Sequence, residues 1–111
     1  MNDARIDAGP AGDLIAGDAL RFAHAGHAYA LFRTASGALH ATDGLCTHGK
    51  VHLADGYLAQ NLIECPKHNG CFDITTGQPK RRPATLALRT YPLHEEAGRL
   101  WLDPRPNAVA P

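Results

Sequence analysis

Residues 45–71 read LCTHGKVHLADGYLAQNLIECPKHNGC, a stretch that holds two short cysteine–histidine pairs. One residue separates Cys46 from His48, two separate Cys65 from His68, and sixteen residues lie between the pairs. The first pair follows a turn-forming Asp-Gly dipeptide and the second follows a strand-like apolar run, so we predict that each pair lies on a loop at the end of a hairpin. Two such loops can close on one metal centre from opposite sides.

The donor atoms of the two pairs suit two kinds of centre. Two thiolates and two imidazoles can hold either a tetrahedral zinc ion or an iron–sulfur cluster. A zinc finger would present its cysteines together and its histidines on a following helix. Here the order alternates and no helical pattern follows, as a two-iron centre requires if both cysteines hold one iron and both histidines the other. The residue types by themselves leave zinc open.

The rest of the chain predicts an all-β fold. Seven apolar runs of strand length lie at residues 19–24, 29–34, 39–42, 57–65, 72–75, 86–93 and 100–103. Turn-forming glycines separate most of them, and residues 95–98 are placed as a hairpin loop would be. No window of twelve residues keeps a helical apolar spacing without Gly or Pro. We therefore expect a β-sandwich or small barrel.

Length, charge and hydropathy limit the possible functions. The chain has 111 residues and a mass of 11.9 kDa, which predicts a single domain over 1–111 with a core at about 15–103 and flexible ends. Eleven basic and eleven acidic side chains cancel, so a broad nucleic-acid-binding surface is not expected. No run of about 20 apolar residues or signal peptide is visible. These features favour a cytoplasmic protein that binds neither nucleic acid nor a membrane.

The spacing of the two pairs, with its flanking residues, resembles the Rieske [2Fe–2S] family. The likeness spans roughly residues 15–103 and is carried by residues 46–49, 55–58, 64–70, 72–73 and 76–77. Within the family, the chain is similar to the small ferredoxins of multicomponent aromatic-ring dioxygenases. The resemblance implies a β-sandwich-like base, a cluster-binding subdomain made of two ligand loops, and a proline-containing third loop, which we place at 82–84.

The resemblance also implies a cofactor and a function. The cofactor would be one [2Fe–2S] cluster, with Cys46 and Cys65 on one iron and His48 and His68 on the other. The protein would be a one-electron carrier rather than an enzyme. It would take electrons from an NAD(P)H-dependent flavoprotein reductase and pass them to a terminal Rieske non-haem iron oxygenase. The alternatives are a small Rieske-like subunit of a larger reductase and, less favoured, a zinc-binding interaction module.

Four positions near the two pairs predict a low reduction potential. High-potential Rieske proteins carry a serine and a tyrosine at the positions of Gly70 and Phe72, and neither residue here can donate a side-chain hydrogen bond. The same proteins join their loops by a disulfide at positions that are Val51 and Lys67 in this chain. We therefore predict a potential near the low end of the Rieske range, roughly −150 mV.

The remaining candidate residues are predicted to have ordinary roles. Cys71 matches no ligand position, and we expect it to be a small buried residue. Five further histidines are interpreted as surface or turn residues, with the first two not on one face and the fourth nearest the cluster: His24, His27, His40, His52 and His94. Residues 80–82, Lys-Arg-Arg, form either a solvated turn or a docking patch for acidic partners. No catalytic triad, phosphate-binding glycine loop or carboxylate dyad is recognisable.

Overall fold

The computed structural model describes residues 5–47, 51–67 and 69–108. In these ranges the regular structure is almost entirely strand, so the predicted all-β class is confirmed. The strands are β1 (Ile6–Pro10), β2 (Asp18–His24), β3 (His27–Arg33), β4 (Leu39–Asp43), β5 (Tyr57–Ala59), β6 (Leu62–Glu64), β7 (Cys71–Asp73), β8 (Pro79–Arg81), β9 (Thr90–Tyr91), β10 (Leu93–Glu96) and β11 (Arg99–Leu102). The helices of the described ranges are two short 3₁₀ turns, at Ala11–Asp13 and Leu53–Asp55, and neither could cross a membrane.

The strands form three antiparallel sheets. The outer sheet has the order β1-β11-β10, the central sheet β2-β3-β4-β9, and the third sheet, here the cysteine-loop sheet, β5-β6-β7-β8. The burial of β3 shows why the β2-β3-β4-β9 sheet is central. Its residues from Tyr29 to Phe32 are all buried, and because side chains alternate along a strand, they serve two different cores.

The two faces of β3 each pack into one core. Leu31 belongs to a cluster with Leu100 and Leu102 of the outer sheet, which forms the sandwich of the base. Phe32 belongs to a second cluster with Ile63 and Phe72 of the cysteine-loop sheet. Burying each such side chain contributes about 1.5–3 kcal/mol, so both cores bind their sheets to the central one.

Two of the hairpins are closed by Ala-Gly turns in which both residues have positive φ. Ala25 and Gly26 join β2 to β3 with φ values of 51° and 79°, and Ala97 and Gly98 join β10 to β11 with 53° and 78°. Positive φ at both positions gives the turn the twist that matches its flanking strands. The hairpin predicted at 95–98 is confirmed, although Glu95 and Glu96 belong to β10 rather than to the loop.

Near both ends of the described part of the chain, backbone hydrogen bonds attach short segments to strands. No strand was expected before residue 13, yet Ile6–Pro10 pairs with β11 as an edge strand and buries Ala8. The sequence does not reveal this strand, because its alanine and glycine residues give only a weak alternation of apolar and polar side chains. Near the other end, the Asn107 backbone N–H donates to the Thr90 carbonyl at 2.8 Å, so this segment is attached without forming a ladder.

Strand boundaries differ in the second half of the chain. The predicted run 57–65 is two strands, because Gln60 adopts a positive φ of 55° and reverses the chain. The run 86–93 supplies only β9 and the start of β10. β8 was missed because it begins with a proline, a residue that strands tolerate mainly at their first position or at an edge.

Candidate metal centre

The first cysteine loop runs from Gly44 to His52, and its residues 48–50 lie outside the described ranges. Its stem is fixed to the central sheet, because the Gly44 N–H donates to the Ala28 carbonyl at 2.8 Å. Its two arms are joined where the Cys46 N–H donates to the Val51 carbonyl at 3.0 Å. The Cys46 side chain is buried, with 5% of the residue exposed.

Gly44 is required by the close approach of this loop to β3. A Cβ atom at Gly44 would lie 2.8 Å from His52 Nε2 and 2.9 Å from the backbone of both Ala28 and Tyr29. His52 is itself buried, and its Nδ1 accepts a hydrogen bond from the Ala54 N–H at 3.1 Å. Burial lowers the pKa of His52. His52 is therefore not a surface residue, and of the two expected roles it has that of a turn residue, because it caps the 3₁₀ turn at Leu53–Asp55.

The second cysteine loop, residues 65–70, is the tip of the β6–β7 hairpin. The Cys65 N–H donates to the Gly70 carbonyl at 2.7 Å, and the Asn69 N–H donates back to the Cys65 carbonyl at 3.1 Å. The loop is held from outside by Arg81, whose Nε donates to the Asn69 carbonyl and whose Nη2 contacts Glu64 at 2.6 Å. Cys65 is 1% exposed.

The loop at 82–84 meets both cysteine loops. Ala84 is buried, and a Cβ atom at Gly70 would lie 3.0 Å from its nitrogen and 3.1 Å from its Cβ. Two residues after Ala84, the Leu86 carbonyl accepts a hydrogen bond from Thr47 Oγ1 at 2.8 Å. The proline-containing segment thus lies beside the two cysteine loops, where the resemblance places a third loop.

The structure brings Cys46 and Cys65 into one buried cluster, which also contains Ala84. His48 and His68, the two predicted nitrogen donors, lie outside the described residues. The two thiols fit the sulfur side of a [2Fe–2S] cluster, since they are shielded from water and carried by two loops that pack against the same segment. The two cysteines stand nineteen positions apart in the sequence.

Cys71 differs from the other two cysteines. It lies on β7, opposite Glu64 in the ladder, and is 6% exposed. Burial raises the pKa of its thiol. The predicted burial of Cys71 is confirmed.

A hydrogen-bonded group at the end of β4 was missed by the sequence reading, which treated Asp43 as a turn residue. Asp43 Oδ1 accepts from the Tyr91 hydroxyl at 2.5 Å and lies 2.9 Å from His27 Nε2, while Oδ2 accepts from Arg89 Nε at 3.1 Å. Burial raises the pKa of Asp43, but these hydrogen bonds outweigh it and the pKa is lowered overall. Burial, together with the hydrogen bond to Asp43, raises the pKa of Tyr91. No spacing rule links residues 46 or 48 positions apart.

His24 and His27 also depart from the sequence reading. They are direct partners across the β2–β3 hairpin, so their side chains share one face of the sheet, contrary to expectation. The error came from ignoring the two-residue turn between them, which converts a spacing of three into a cross-strand pair.

A family model of the Rieske [2Fe-2S] domain matches residues 4–92 of the chain. The chain therefore belongs to the Rieske [2Fe–2S] domain family, and its cofactor is the Rieske cluster. Among curated proteins it is similar to the ferredoxin component of the naphthalene 1,2-dioxygenase system of Pseudomonas putida, with 41% identity over 98 residues that cover 88% of this chain and 93% of the relative.

Solved structures give the same placement. The Sphingomonas yanoikuyae B1 ferredoxin matches with a TM-score of 0.84 and 33% identity, over 91% of this chain and 99% of that one. A chain in the complex of reduced oxygenase and oxidized ferredoxin of carbazole 1,9a-dioxygenase matches with a TM-score of 0.87 and 28% identity, over 96% and 99%. The predicted family is confirmed, and this favours the diiron interpretation over zinc.

Proposed function

We propose that this protein is the one-electron carrier of a dioxygenase system, with no substrate turnover of its own. The observation that carries the proposal is the burial of Cys46 and Cys65 in one cluster at the meeting point of three loops, within a chain that matches the Rieske domain over most of its length. Its relative in Pseudomonas putida is named as the ferredoxin component of such a system.

Four residues would hold the cluster: Cys46 and Cys65 on one iron, and His48 and His68 on the other. When bound, a cluster with this ligand set takes up and releases a single electron at a higher potential than one held by four thiolates. The chain's own contribution is to keep the thiol donors dry. Both cysteines are buried, whereas the neighbouring Thr47 and Lys67 are exposed.

The surroundings of the second loop support a potential near the low end of the Rieske range, roughly −150 mV. Gly70 has no side chain, and Ala84 fills the space beside it. Phe72 is fully buried in the second core and has no polar atom. Neither residue can donate the side-chain hydrogen bonds that would stabilise additional negative charge on the reduced centre.

The proposed partners are an NAD(P)H-dependent flavoprotein reductase and a terminal oxygenase, and the proposed location is the cytoplasm. The exposed parts of the described cysteine loops are short and offer a small contact area. A small contact area is typical of transient redox complexes and supports the proposal of two partners. Two carboxylates in or beside the elements that carry the cysteine loops are held in ion pairs, Glu64 with Arg81 and Asp55 with Arg21.

The test begins with anaerobic purification and counting of atoms. We expect iron and acid-labile sulfide in equal amounts, about two of each per chain, and an averaged g value in the reduced protein that indicates mixed histidine and cysteine ligation. The reduced protein should then transfer its electron to the oxygenase of the naphthalene 1,2-dioxygenase system. Stoichiometric zinc without sulfide would overturn the cluster, and absence of electron transfer by a fully loaded protein would overturn the carrier role.

A further inference from the structure

Arg81 contacts both ends of the segment that carries the second ligand pair. Its Nη2 lies 2.6 Å from Glu64 Oε1, and its Nε donates to the Asn69 carbonyl oxygen at 2.9 Å. Glu64 directly precedes Cys65, and Asn69 directly follows His68. One guanidinium group therefore binds the residues that stand immediately before and immediately after the two predicted ligands.

The strand register explains why Arg81 reaches Glu64. Cys71 of β7 is opposite Glu64 on β6 and opposite Arg81 on β8. Directly opposite residues point to the same face of a sheet, so the three side chains share one face and the ion pair crosses β7 there. Cys71 lies between the two charges and is buried. The sheet itself therefore places two opposite charges beside the second cysteine loop.

The bond from Arg81 Nε holds Asn69 in a turn conformation. Asn69 has a φ of 61°, in the left-handed region that residues other than glycine seldom adopt, although asparagine tolerates it. Its N–H donates to the Cys65 carbonyl at 3.1 Å, and its own carbonyl accepts the bond from Arg81. Arg81 therefore fixes the residue at which the chain turns back towards β7 after the predicted ligands.

The charges of Arg81 and Glu64 act on the reduction potential with opposite signs. A Rieske cluster gains one negative charge when it takes up its electron, and the net charge of the site is one determinant of its potential. A nearby positive charge stabilises the reduced state and raises the potential, whereas a nearby negative charge lowers it. The two side chains are 53% and 33% exposed, so water screens each charge and the expected shifts are small.

We propose that Arg81 tunes the reduction potential of the cluster: it positions the second cysteine loop, and its charge offsets the charge of Glu64 beside Cys65. This inference rests on the proposed ligand set, in which Cys65 and His68 bind the cluster. Either charge without the other would stand uncompensated next to the ligands. The pair thus keeps the potential close to the value that the ligands and their uncharged surroundings determine.

The test is a cycle of charge-changing variants: R81Q, E64Q and the double variant R81Q/E64Q, with R81K. The matched control is R99Q, D7N and R99Q/D7N, because Arg99 and Asp7 form an ion pair at 3.0 Å with similar exposures of 44% and 42%. That pair lies in the outer sheet, on the other side of the central sheet from the cysteine-loop sheet. Iron and sulfide are counted in every protein, and midpoint potentials are measured at an ionic strength of about 0.1 M and near 1 M.

We expect R81Q to lower the midpoint potential and E64Q to raise it. Each should change the ratio of oxidised to reduced protein at a fixed potential about threefold, which is a shift of about 30 mV at 59 mV per tenfold for one electron. The double variant and R81K should stay close to wild type, since each keeps the local charge balanced. Both shifts should shrink near 1 M salt, where the Debye length falls to about 3 Å, and the control variants should shift the potential much less.

The positioning role is measured separately from the charge. R81K keeps the positive charge but lacks the planar fork that reaches both Glu64 and Asn69. Its electron paramagnetic resonance signal in the reduced state should be broader than that of wild type, because the ligands are held less uniformly, whereas R99K should leave the signal unchanged. An unchanged signal for R81K would overturn the positioning role.

Other results would overturn the charge role. Shifts of the same sign for R81Q and E64Q would show that both variants disturb the loop geometry instead of the charge balance. Shifts of equal size in the control pair would show that charge removal anywhere on the surface has this effect.

The iron count and the oxygenase assay separate this inference from the proposals on which it rests. A wild-type protein without iron and sulfide would overturn the ligand set, and this inference with it. A loaded wild type that reduces no oxygenase would overturn the carrier role alone, because the potentials are still measured. Loaded variants of Arg81 and Glu64 with wild-type potentials would overturn this inference alone.

Discussion

The two cysteine loops reach one buried cluster by different constructions. The first follows β4 and is bound to the central sheet by backbone hydrogen bonds. At its stem, Asp43 accepts a hydrogen bond from Tyr91 of the neighbouring strand β9. The second is a hairpin tip closed on itself by the bonds between Cys65, Asn69 and Gly70, and Arg81 holds it from outside.

The two polar clamps differ in their exposure to water. In the first clamp Asp43 is 20% exposed and accepts a part-buried hydrogen bond from Tyr91, besides the bond from Arg89, which is 57% exposed. The second clamp consists of Arg81 and Glu64, which are 53% and 33% exposed. Solvent screens exposed ion pairs strongly, so they contribute little to stability. We infer that the first loop is fixed mainly by the fold, and that the second depends on local backbone bonding with a weak charged brace.

The largest expected effect is the same for the two loops, because each must supply a thiolate to the cluster. Cys46→Ser and Cys65→Ser should each abolish cluster incorporation, since a serine hydroxyl is a poor replacement for a soft thiolate ligand. Cys71→Ser is the matched control and should retain iron and sulfide at wild-type stoichiometry. Iron, sulfide and visible absorbance are measured on protein reconstituted in parallel. Retention of the cluster in either ligand variant would remove that cysteine from the proposed set.

Substituting the glycines sharpens the contrast between the loops. Gly44→Ala puts a Cβ atom 2.9 Å from backbone atoms of β3, which cannot move independently, and should cost about 3 kcal/mol. This corresponds to a fall in Tm on the order of 15 °C. Gly70→Ala meets Ala84 at 3.0–3.1 Å, a tight contact that a loop can relieve, and should cost about 1 kcal/mol. Thermal unfolding of both variants in the loaded state checks the order, and a larger loss for Gly70→Ala would refute the comparison.

The alternating pairs of cysteine and histidine, together with their flanking residues, were sufficient to predict the family, and with it the sandwich base and the third loop. They succeed because metal ligation constrains residue type and spacing together. The hairpin at 95–98 was also predictable, since its turn glycine and alternating leucines are local signals. In each of these features, residues that are close together in the sequence determine the structure.

The parts that were missed depend on residues far apart in the chain. Asp43 reads as a turn former until β9 brings Tyr91 beside it, and β1 becomes visible only through its pairing with β11. Residue propensity and apolar periodicity carry no information on such long-range pairings. These pairings decide which residues hold each loop in place.

The clamp of the first loop can be tested through pH. Asp43→Asn should lower the stability by about 2 kcal/mol at neutral pH, because it weakens hydrogen bonds to a charged acceptor. The pKa of Asp43 is lowered from its ordinary value of 3.8, so its contribution is fully present above that pH and is lost as pH falls through the folded-state pKa. The Tm difference between wild type and variant should therefore be constant above about pH 5 and shrink below pH 3.8. A difference that persists unchanged in acid would assign the loss to packing instead, and Asp13→Asn, on an exposed turn, serves as the control.

The clamp of the second loop should show the smallest effect. Arg81→Gln removes the bond to Asn69 and the pair with Glu64, yet both groups of that pair are well exposed, so the loss should be below about 1 kcal/mol. Arg81→Lys keeps the charge but lacks the two-pronged geometry that reaches both partners, and it should recover only part of the difference. Thermal unfolding at low ionic strength and near 1 M salt distinguishes the contributions, because salt should remove the gap between lysine and glutamine while leaving the gap between arginine and lysine. If Arg81→Gln instead lowered the stability as much as Asp43→Asn, solvent exposure would not explain the difference between the two clamps. Arg81 would then fix the second loop as strongly as Asp43 fixes the first.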